Sequence, residues 1–174
     1  MDQRISLLLV GSLLFILSCK VGYHDLSNPR QPYVGDEIRT DGYYFFMDTV
    51  DRVVLGDPQT DVVTRVYFFY RNGVMNYYNF PFLDLDSLEE WIADSLFVAR
   101  RKRHPVGWGI FGVNANKIKI ETWVMSTGGR HPTYEYSLDI VNDSTFYKQN
   151  ADQAMLFQFK EFMNKPDSTS SYID

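Results

Sequence analysis

The 174-residue chain has a single cysteine, no surplus of basic residues and no apolar run long enough to cross a membrane. One cysteine excludes an internal disulfide. The net charge of −5 argues against a nucleic-acid binder, which normally carries a basic surplus. The longest mainly apolar stretch, Ile5–Leu17, has 13 residues, whereas a membrane-spanning helix needs about 20. We therefore expect one globular domain that folds without disulfides.

The first 18 residues have the layout of an export signal. Arg4 supplies a short positive region, and the apolar stretch has the length of a signal-peptide core, about 7 to 15 residues. The residues Ile16-Leu17-Ser18-Cys19 resemble the lipobox of bacterial lipoproteins. The resemblance implies that residues 1–18 are a signal peptide, that Cys19 is lipidated and that the protein is lipid-anchored in the cell envelope. Because Lys20 rather than aspartate follows, the outer membrane is favoured. The alternative is an ordinary secretory leader in which Cys19 is an incidental thiol.

Composition divides the rest of the chain into three parts. Residues 19–36 contain prolines and glycines without periodicity, which predicts a flexible tether after the lipidated cysteine. Residues 37–163 form the body. Residues 164–174 contain a proline and a serine-threonine run, which predicts a disordered tail.

Short runs of aromatic and β-branched residues, many of them alternating with polar ones, dominate the body and predict strands. Asn72-Gly73 lies between two of these runs and predicts a type I′ hairpin, in which both central residues have positive φ. Asn114–Asn116 and Asn142-Asp143 mark two further hairpins. The run Met155–Phe159 fits a last strand better than a helix, although both remain open.

One amphipathic helix is expected at about residues 86–101, with Leu88 and Ile92 on its apolar face and Asp86 or Ser87 as its cap. The short connections between the other elements are antiparallel ones. The fold class is therefore mainly β: an antiparallel barrel or a strongly curved meander sheet, with the helix covering one end or side.

The layout of the body resembles a group of small bacterial envelope lipoproteins with a lipocalin-like domain. Residues 39–45, Trp108–Phe111 and Leu138–Phe146 carry this resemblance together with the Asn-Gly hairpin, and it covers most of residues 37–163. It implies a lipocalin-like barrel that holds a small hydrophobic ligand. In lipocalins proper a Gly-x-Trp motif opens the first strand, and Gly42-Tyr43-Tyr44 stands in its place here. The resemblance supplies no catalytic residues.

Aromatic residues make up 16% of the chain and concentrate in the predicted strands, where neighbours point to opposite faces. One set forms the candidate ligand-binding site of the barrel interior: Tyr44, Phe46, Tyr67, Phe69, Tyr77, Trp108, Trp123, Tyr134 and Tyr136. The outward set is either core covered by the helix or by the Phe80-Pro81-Phe82 loop, or a docking surface.

Four consecutive basic residues, Arg100, Arg101, Lys102 and Arg103, form a candidate surface for a membrane or a partner protein. The alternative is a solvated helix end, where cations are favourable because they lie at the negative end of the helix dipole.

The motifs of enzymes and cofactor sites give no support to catalysis. Gly107–Gly112 matches the dinucleotide pattern G-x-G-x-x-G, but a strand and a turn follow it rather than the helix that would bind the phosphates. The sequence has no Gly-x-Ser-x-Gly elbow and no His-Glu-x-x-His motif. His24, His104 and His131 lack the spacing of metal ligands. We expect no enzyme activity, no cofactor, no metal and no nucleic-acid partner.

The leading hypothesis is an exported, lipid-anchored lipoprotein whose domain binds a small apolar or amphipathic ligand at the cell envelope. The alternative is a non-enzymatic adaptor or accessory subunit that docks on another envelope protein. A third is an envelope hydrolase whose site is assembled from residues distant in sequence. The barrel interior separates the first two, because a ligand binder needs a cavity of about 300 Å³ or more.

Overall fold

The chain folds into a closed barrel of eight antiparallel strands in a computed structural model that describes residues 24–54, 57–81, 84–126, 131–150, 153–170 and 172–173. The strands are β1 Gly42–Val54, β2 Asp57–Phe69, β3 Val74–Phe80, β4 Trp108–Asn114, β5 Lys117–Trp123, β6 Thr133–Asn142, β7 Thr145–Gln149 and β8 Ala154–Glu161. Two short helices, α1 Leu85–Ala93 and α2 Ser95–Lys102, connect β3 to β4. The predicted mainly β fold is confirmed. Because β8 pairs with β1, the sheet closes into a barrel, which was one of the two predicted forms. The strand predicted at Met155–Phe159 is also confirmed.

The two ends of the barrel differ. The hairpin turns at residues 70–73, 115–116 and 143–144 lie at one end, which we call the closed end. At the opposite end, the mouth, β1 and β2 run on together well past their neighbours. Strand β8 pairs with β1 only over Gly42–Phe45, whereas β1 and β2 stay paired as far as Val54 and Asp57. A two-stranded ribbon therefore projects beyond the barrel at the mouth.

The chain before β1 plugs the closed end. Tyr33 and Ile38 are buried there, and the Tyr33 hydroxyl accepts a hydrogen bond from the Ile38 amide at 2.9 Å. The Tyr33 ring lies 5.6 Å from the ring of Phe111, between centroids, inside the barrel. The interior is therefore sealed from the closed end by residues that precede the first strand.

The turn between β2 and β3 is not the predicted type I′ turn. Among the described residues only Ala115, Gly73 and Gly107 have positive φ, so Asn72 does not. The Gly73 amide donates to the Tyr70 carbonyl at 2.9 Å, which gives a three-residue loop of a turn followed by a glycine bulge. Glycine is required because a Cβ at Gly73, where φ is +81°, would lie 2.0 Å from the Gln31 carbonyl oxygen.

The single helix predicted at 86–101 is two helices that meet at Asp94. This residue has an extended ψ of 122°, which ends α1, and its side chain accepts a hydrogen bond from the Phe97 amide at 2.7 Å, which caps α2. The cap of α1 is Asp84, bonded to the Ser87 amide at 2.8 Å, rather than Asp86 or Ser87.

The outer face of β1 to β5 carries a second hydrophobic core together with the helices. Its buried members are Tyr43, Val66, Phe68, Tyr70, Val74, Phe80, Leu88, Ile92, Trp108 and Trp123. The Tyr43 hydroxyl donates to the Glu89 carboxylate of α1 at 2.8 Å. These outward aromatics are therefore covered core, the first of the two interpretations.

The described parts of the predicted tether and tail lie along the barrel. The backbone amides of Ser27 and Asn28 donate to the Glu121 carboxylate at 2.6 and 2.9 Å. The Lys165 ammonium donates to the carbonyls of Thr40 and Phe69 at 2.8 and 2.5 Å. Residues 24–36 and 164–170 are thus docked on the domain. Neither of the two described helices has the length and apolarity needed to cross a membrane.

Candidate functional site

Aromatic rings fill the half of the barrel interior next to the closed end. The centroids of Tyr44 and Phe146 lie 4.9 Å apart, those of Phe69 and Phe111 also 4.9 Å, and those of Phe146 and Phe157 5.0 Å. All five rings are buried. This half is therefore packed core, and Tyr44 and Phe69, which the sequence predicts as ligand contacts, belong to that core.

The other half of the interior opens at the mouth into a cavity of about 480 Å³, which we call the mouth cavity. Its lining includes Tyr77, Thr122, Met125, Tyr134, Tyr136 and Lys148. Tyr77 and Tyr136 come from β3 and β6, on opposite walls, and Lys148 comes from β7. The volume lies within the range of about 300 to 1,000 Å³ that is common for small-molecule sites.

Three tyrosines and one lysine form the floor of the mouth cavity, at the boundary with the packed half. The Lys148 ammonium donates to the Tyr67 hydroxyl at 3.0 Å, and the hydroxyls of Tyr67 and Tyr136 lie 3.0 Å apart. The ammonium also faces three aromatic rings, at 4.5 Å from the centroid of Tyr136, 5.1 Å from Tyr77 and 5.7 Å from Tyr67. We call Tyr67, Tyr77, Tyr136 and Lys148 the floor.

Strand alternation explains why a lysine points into the barrel. Phe146 and Lys148 are two residues apart on β7, so they share the inner face, while Tyr147 between them faces outward. Burial, with a smaller contribution from the positive charge of Arg65, lowers the pKa of Lys148 to about 8. Burial raises the pKa values of Tyr67 and Tyr136 well above the ordinary value, so both keep their protons at neutral pH.

A second charged pair lies beside the floor. Arg65 of β2 contacts Asp48 of β1 at 3.0 Å, and another of its nitrogens lies 3.5 Å from the Tyr77 hydroxyl. The Asp48 carboxylate is therefore paired with the Arg65 guanidinium. No described carboxylate contacts Lys148.

The nine predicted ligand residues separate into three groups. Tyr77, Tyr134 and Tyr136 line the mouth cavity, and Tyr67 lies directly beneath it. Phe46, Tyr44 and Phe69 belong to the interior core. Trp108 and Trp123 do not face the interior as predicted: their rings lie in the outer core, where the Trp123 indole donates to the His24 carbonyl at 2.6 Å. Trp123 nevertheless also borders the mouth cavity.

Sequence reasoning missed Lys148, Arg65, Asp48 and Met125. A signal existed for Lys148, because it stands two residues from Phe146 in a predicted strand, where an inward side chain is expected to be apolar. No comparable signal marked Arg65 and Asp48, which lie where β1 and β2 pass the rim of the barrel.

The basic residues at the end of α2 do not form one surface. The Arg101 guanidinium lies 4.2 Å from the centroid of the Tyr78 ring and donates to the Val106 carbonyl at 2.8 Å. Lys102 contacts Asp167 at 2.7 Å. Arg100 and Arg103 remain exposed, so only two of the four candidate residues are open to a membrane or partner.

A second cavity of about 510 Å³ lies on the outer wall of the barrel, between residues 28–31 and strands β4 to β6. Glu121 borders it, but its carboxylate already accepts bonds from the N-terminal segment. This cavity lies outside the sheet wall, whereas the mouth cavity opens from the barrel interior and has the linked hydroxyls and ammonium of the floor at its base. We therefore place the candidate site at the mouth.

The three histidines, all of which the structure describes, are not grouped as metal ligands. The rings of His104 and His131 lie 5.5 Å apart between centroids, although the sequence separates them. Within the part of the chain that the structure describes, no three His, Cys, Asp or Glu residues are grouped to hold a metal ion. Cys19, the predicted lipidation site, and the signal peptide at residues 1–18 lie outside the described residues. Comparisons with protein-family models, curated proteins and solved structures found no match to this chain.

Proposed function

We propose that the protein is an exported, lipid-anchored, non-enzymatic lipoprotein whose lipocalin-like barrel binds a small amphipathic ligand at its mouth. The mouth cavity is the observation that carries this proposal. Its volume of about 480 Å³ suits a small organic molecule, and its walls carry aromatic rings and the thioether of Met125.

The chemistry of the floor favours an amphipathic ligand over a purely apolar one. A hydrocarbon that reached Lys148 would displace water from the ammonium without replacing its hydrogen bonds, which is costly. A ligand with one polar end can place that end on the floor and its apolar part against Tyr134 and Met125. The packed core beneath the floor limits the ligand to the outer half of the barrel.

A matched pair of substitutions tests the cavity. Val124 lines the mouth cavity, whereas Val141 is exposed on β6 outside it. We expect Val124→Trp to block binding of a fluorescent amphiphile, such as anilinonaphthalene sulfonate, and Val141→Trp to leave it unchanged. Equal binding by the two variants would overturn the proposal that the mouth is the binding site.

The lipid anchor is tested separately. We expect the Cys19→Ala variant to leave the membrane fraction and to lack the mass of the acyl groups. Ser18→Ala, which keeps a small residue before the cysteine, is the control and should remain anchored. A Cys19→Ala variant that stayed with the membrane and was processed normally would refute lipid anchoring.

A second candidate is an adaptor that docks on another envelope protein, and the helices give it specific support. Trp91 of α1 is 49% exposed and Leu96 of α2 is 79% exposed, so two large apolar side chains face outward on the helical side. If this face binds a protein, Leu96→Asp should abolish a specific cross-link in native membranes. Loss of the cross-link with amphiphile binding intact would show that the two functions use different surfaces.

A further inference from the structure

The hydrogen bonds of the floor all run in one direction. The Lys148 ammonium can only donate, so the Tyr67 hydroxyl is the acceptor of their 3.0 Å bond. Tyr67 is fully buried, and the Tyr136 hydroxyl is the described acceptor within reach of its proton, also at 3.0 Å. The Tyr67 proton therefore points to Tyr136, and the proton of Tyr136 is left for the cavity.

A second chain of donors ends at the same place. The Arg65 guanidinium, which also can only donate, lies 3.5 Å from the Tyr77 hydroxyl. The oxygen of Tyr77 is the acceptor of this contact, so its proton is likewise free to donate. Both chains begin at a cation and end at a hydroxyl of the floor.

The floor thus presents donors to the cavity. They are the hydroxyls of Tyr77 and Tyr136 and two of the three N–H groups of Lys148, for which no acceptor exists among the described residues. The charges agree with this pattern. Arg65 is balanced by Asp48 at 3.0 Å, which leaves Lys148 as the cation of the floor that has no carboxylate partner among the described residues. Arg101 also borders the cavity, outside the floor, where its guanidinium faces the Tyr78 ring and donates to the Val106 carbonyl.

We propose that the floor is a binding site for a monoanionic head group, a carboxylate, whose two oxygens accept hydrogen bonds from Lys148 and from the hydroxyls of Tyr77 and Tyr136. A carboxylate is acceptor-only and carries one negative charge, so it satisfies the donors and neutralises the site. A trimethylammonium head supplies no acceptor and adds a positive charge. A dianionic phosphate carries one negative charge more than the floor neutralises.

This inference rests on the proposed function and names the class of its ligand. The test compares four probes with the same twelve-carbon chain: dodecanoate, dodecanol, dodecyl phosphate and dodecyltrimethylammonium. Each is radiolabelled and measured below its micelle concentration on the full protein after immobilisation. The Val124→Trp variant at equal density serves as the blank, because it retains the lipid anchor and loses the cavity.

We expect dodecanoate to bind at least about tenfold more tightly than dodecanol, as a charge-assisted hydrogen bond requires. Lys148→Met should abolish this preference, so that dodecanoate and dodecanol bind with similar affinity, whereas Lys148→Arg should retain the preference. The affinity of the native protein for dodecanoate should fall as the pH rises through about 8, where free Lys148 loses its proton. The Lys148→Arg variant should not show this fall, since arginine stays charged.

The failures of the two proposals are distinguishable. If none of the four probes binds above the blank, the proposed function is wrong. Equal affinity for dodecanoate and dodecanol would overturn the carboxylate site and leave the amphipathic binding function standing. Tighter binding of the phosphate or of the ammonium probe would likewise overturn the monoanion assignment.

Discussion

Replacing Lys148 by methionine should make the protein more stable while removing its preference for an anion. The pKa of this lysine is about 8 in the folded state, against 10.5 in its ordinary state, because the ammonium is desolvated between the rings of the floor. Each unit of pKa difference corresponds to about 1.4 kcal/mol, so burial of the charge costs about 3 kcal/mol at most. The mouth is open to water, and screening reduces this penalty to about 1 to 2 kcal/mol.

The direction of the pKa shift determines how the stability difference between the two proteins changes with pH. Because the folded pKa of Lys148 lies below the unfolded one, the penalty is complete below about pH 8 and disappears as the pH rises toward 10.5. Lys148→Met should therefore raise the free energy of unfolding by about 1 to 2 kcal/mol at pH 7, or the melting temperature by about 3 to 6 °C. The gain over the native protein should shrink steadily above pH 8.

Chemical denaturation of both proteins at pH 7, 8.5 and 10, followed by circular dichroism, measures this difference. Lys148→Arg is the control, since its charge persists at every one of these pH values. If Lys148→Met is less stable than the native protein by a similar amount at all three pH values, the contacts of the ammonium with the tyrosines outweigh the cost of its desolvation. That result would refute the claim that the charge of Lys148 destabilises the protein when no ligand neutralises it.

Three further substitutions test the fold. Gly73→Ala should destabilise the protein by about 1 to 3 kcal/mol in thermal melts, because a Cβ would meet the Gln31 carbonyl at a positive φ; unchanged stability would contradict the bulged turn. Glu121→Ala should speed hydrogen exchange of the N-terminal segment that its carboxylate binds, and Glu135→Ala, at an exposed neighbouring position, should do so much less. Phe146→Ala should cost about 3 to 5 kcal/mol in denaturant unfolding, since it removes a ring from the centre of the closed half; a cost below 1 kcal/mol would mean that this half is not packed.

Local signals predicted the hairpins and the inward faces of several strands. Turn residues at Asn72-Gly73 and Asn142-Asp143 separated runs whose alternation matches the observed strands. Closure of the barrel has no such local signal. It depends on the pairing of Gly42–Phe45 with residues 158–161, which lie more than a hundred positions away in the chain, and both strands look like ordinary strands in the sequence.

The candidate site was predicted in part, and the errors have physical causes. Trp123 was expected inside, yet Ile118 and Ile120 on the same strand face inward, so alternation places Trp123 outside with Glu121. The aromatic character of the residue outweighed its position. Lys148 was missed for the opposite reason: its charge suggested the surface, although its position beside Phe146 placed it inside the barrel.

Other features of the fold depend on contacts that no sequence pattern indicates. The segment from His24 to Asp36 has the composition of a linker, but Glu121 and Arg71 bind its backbone to the barrel. The break at Asp94 depends on one side chain that caps the second helix. In both places one or two polar side chains hold the backbone in an arrangement that the local sequence does not indicate.

Native mass spectrometry of the full protein, expressed in a bacterial host and isolated without denaturation, tests the central claim most directly. We expect a reproducible additional mass that is lost on denaturation, is absent from the Val124→Trp variant and is retained by Val141→Trp. Extraction of the released compound should yield a small amphipathic molecule with a carboxylate. A bare protein mass that stays bare after incubation with dodecanoate would contradict a ligand-binding mouth and would leave the adaptor function as the better account.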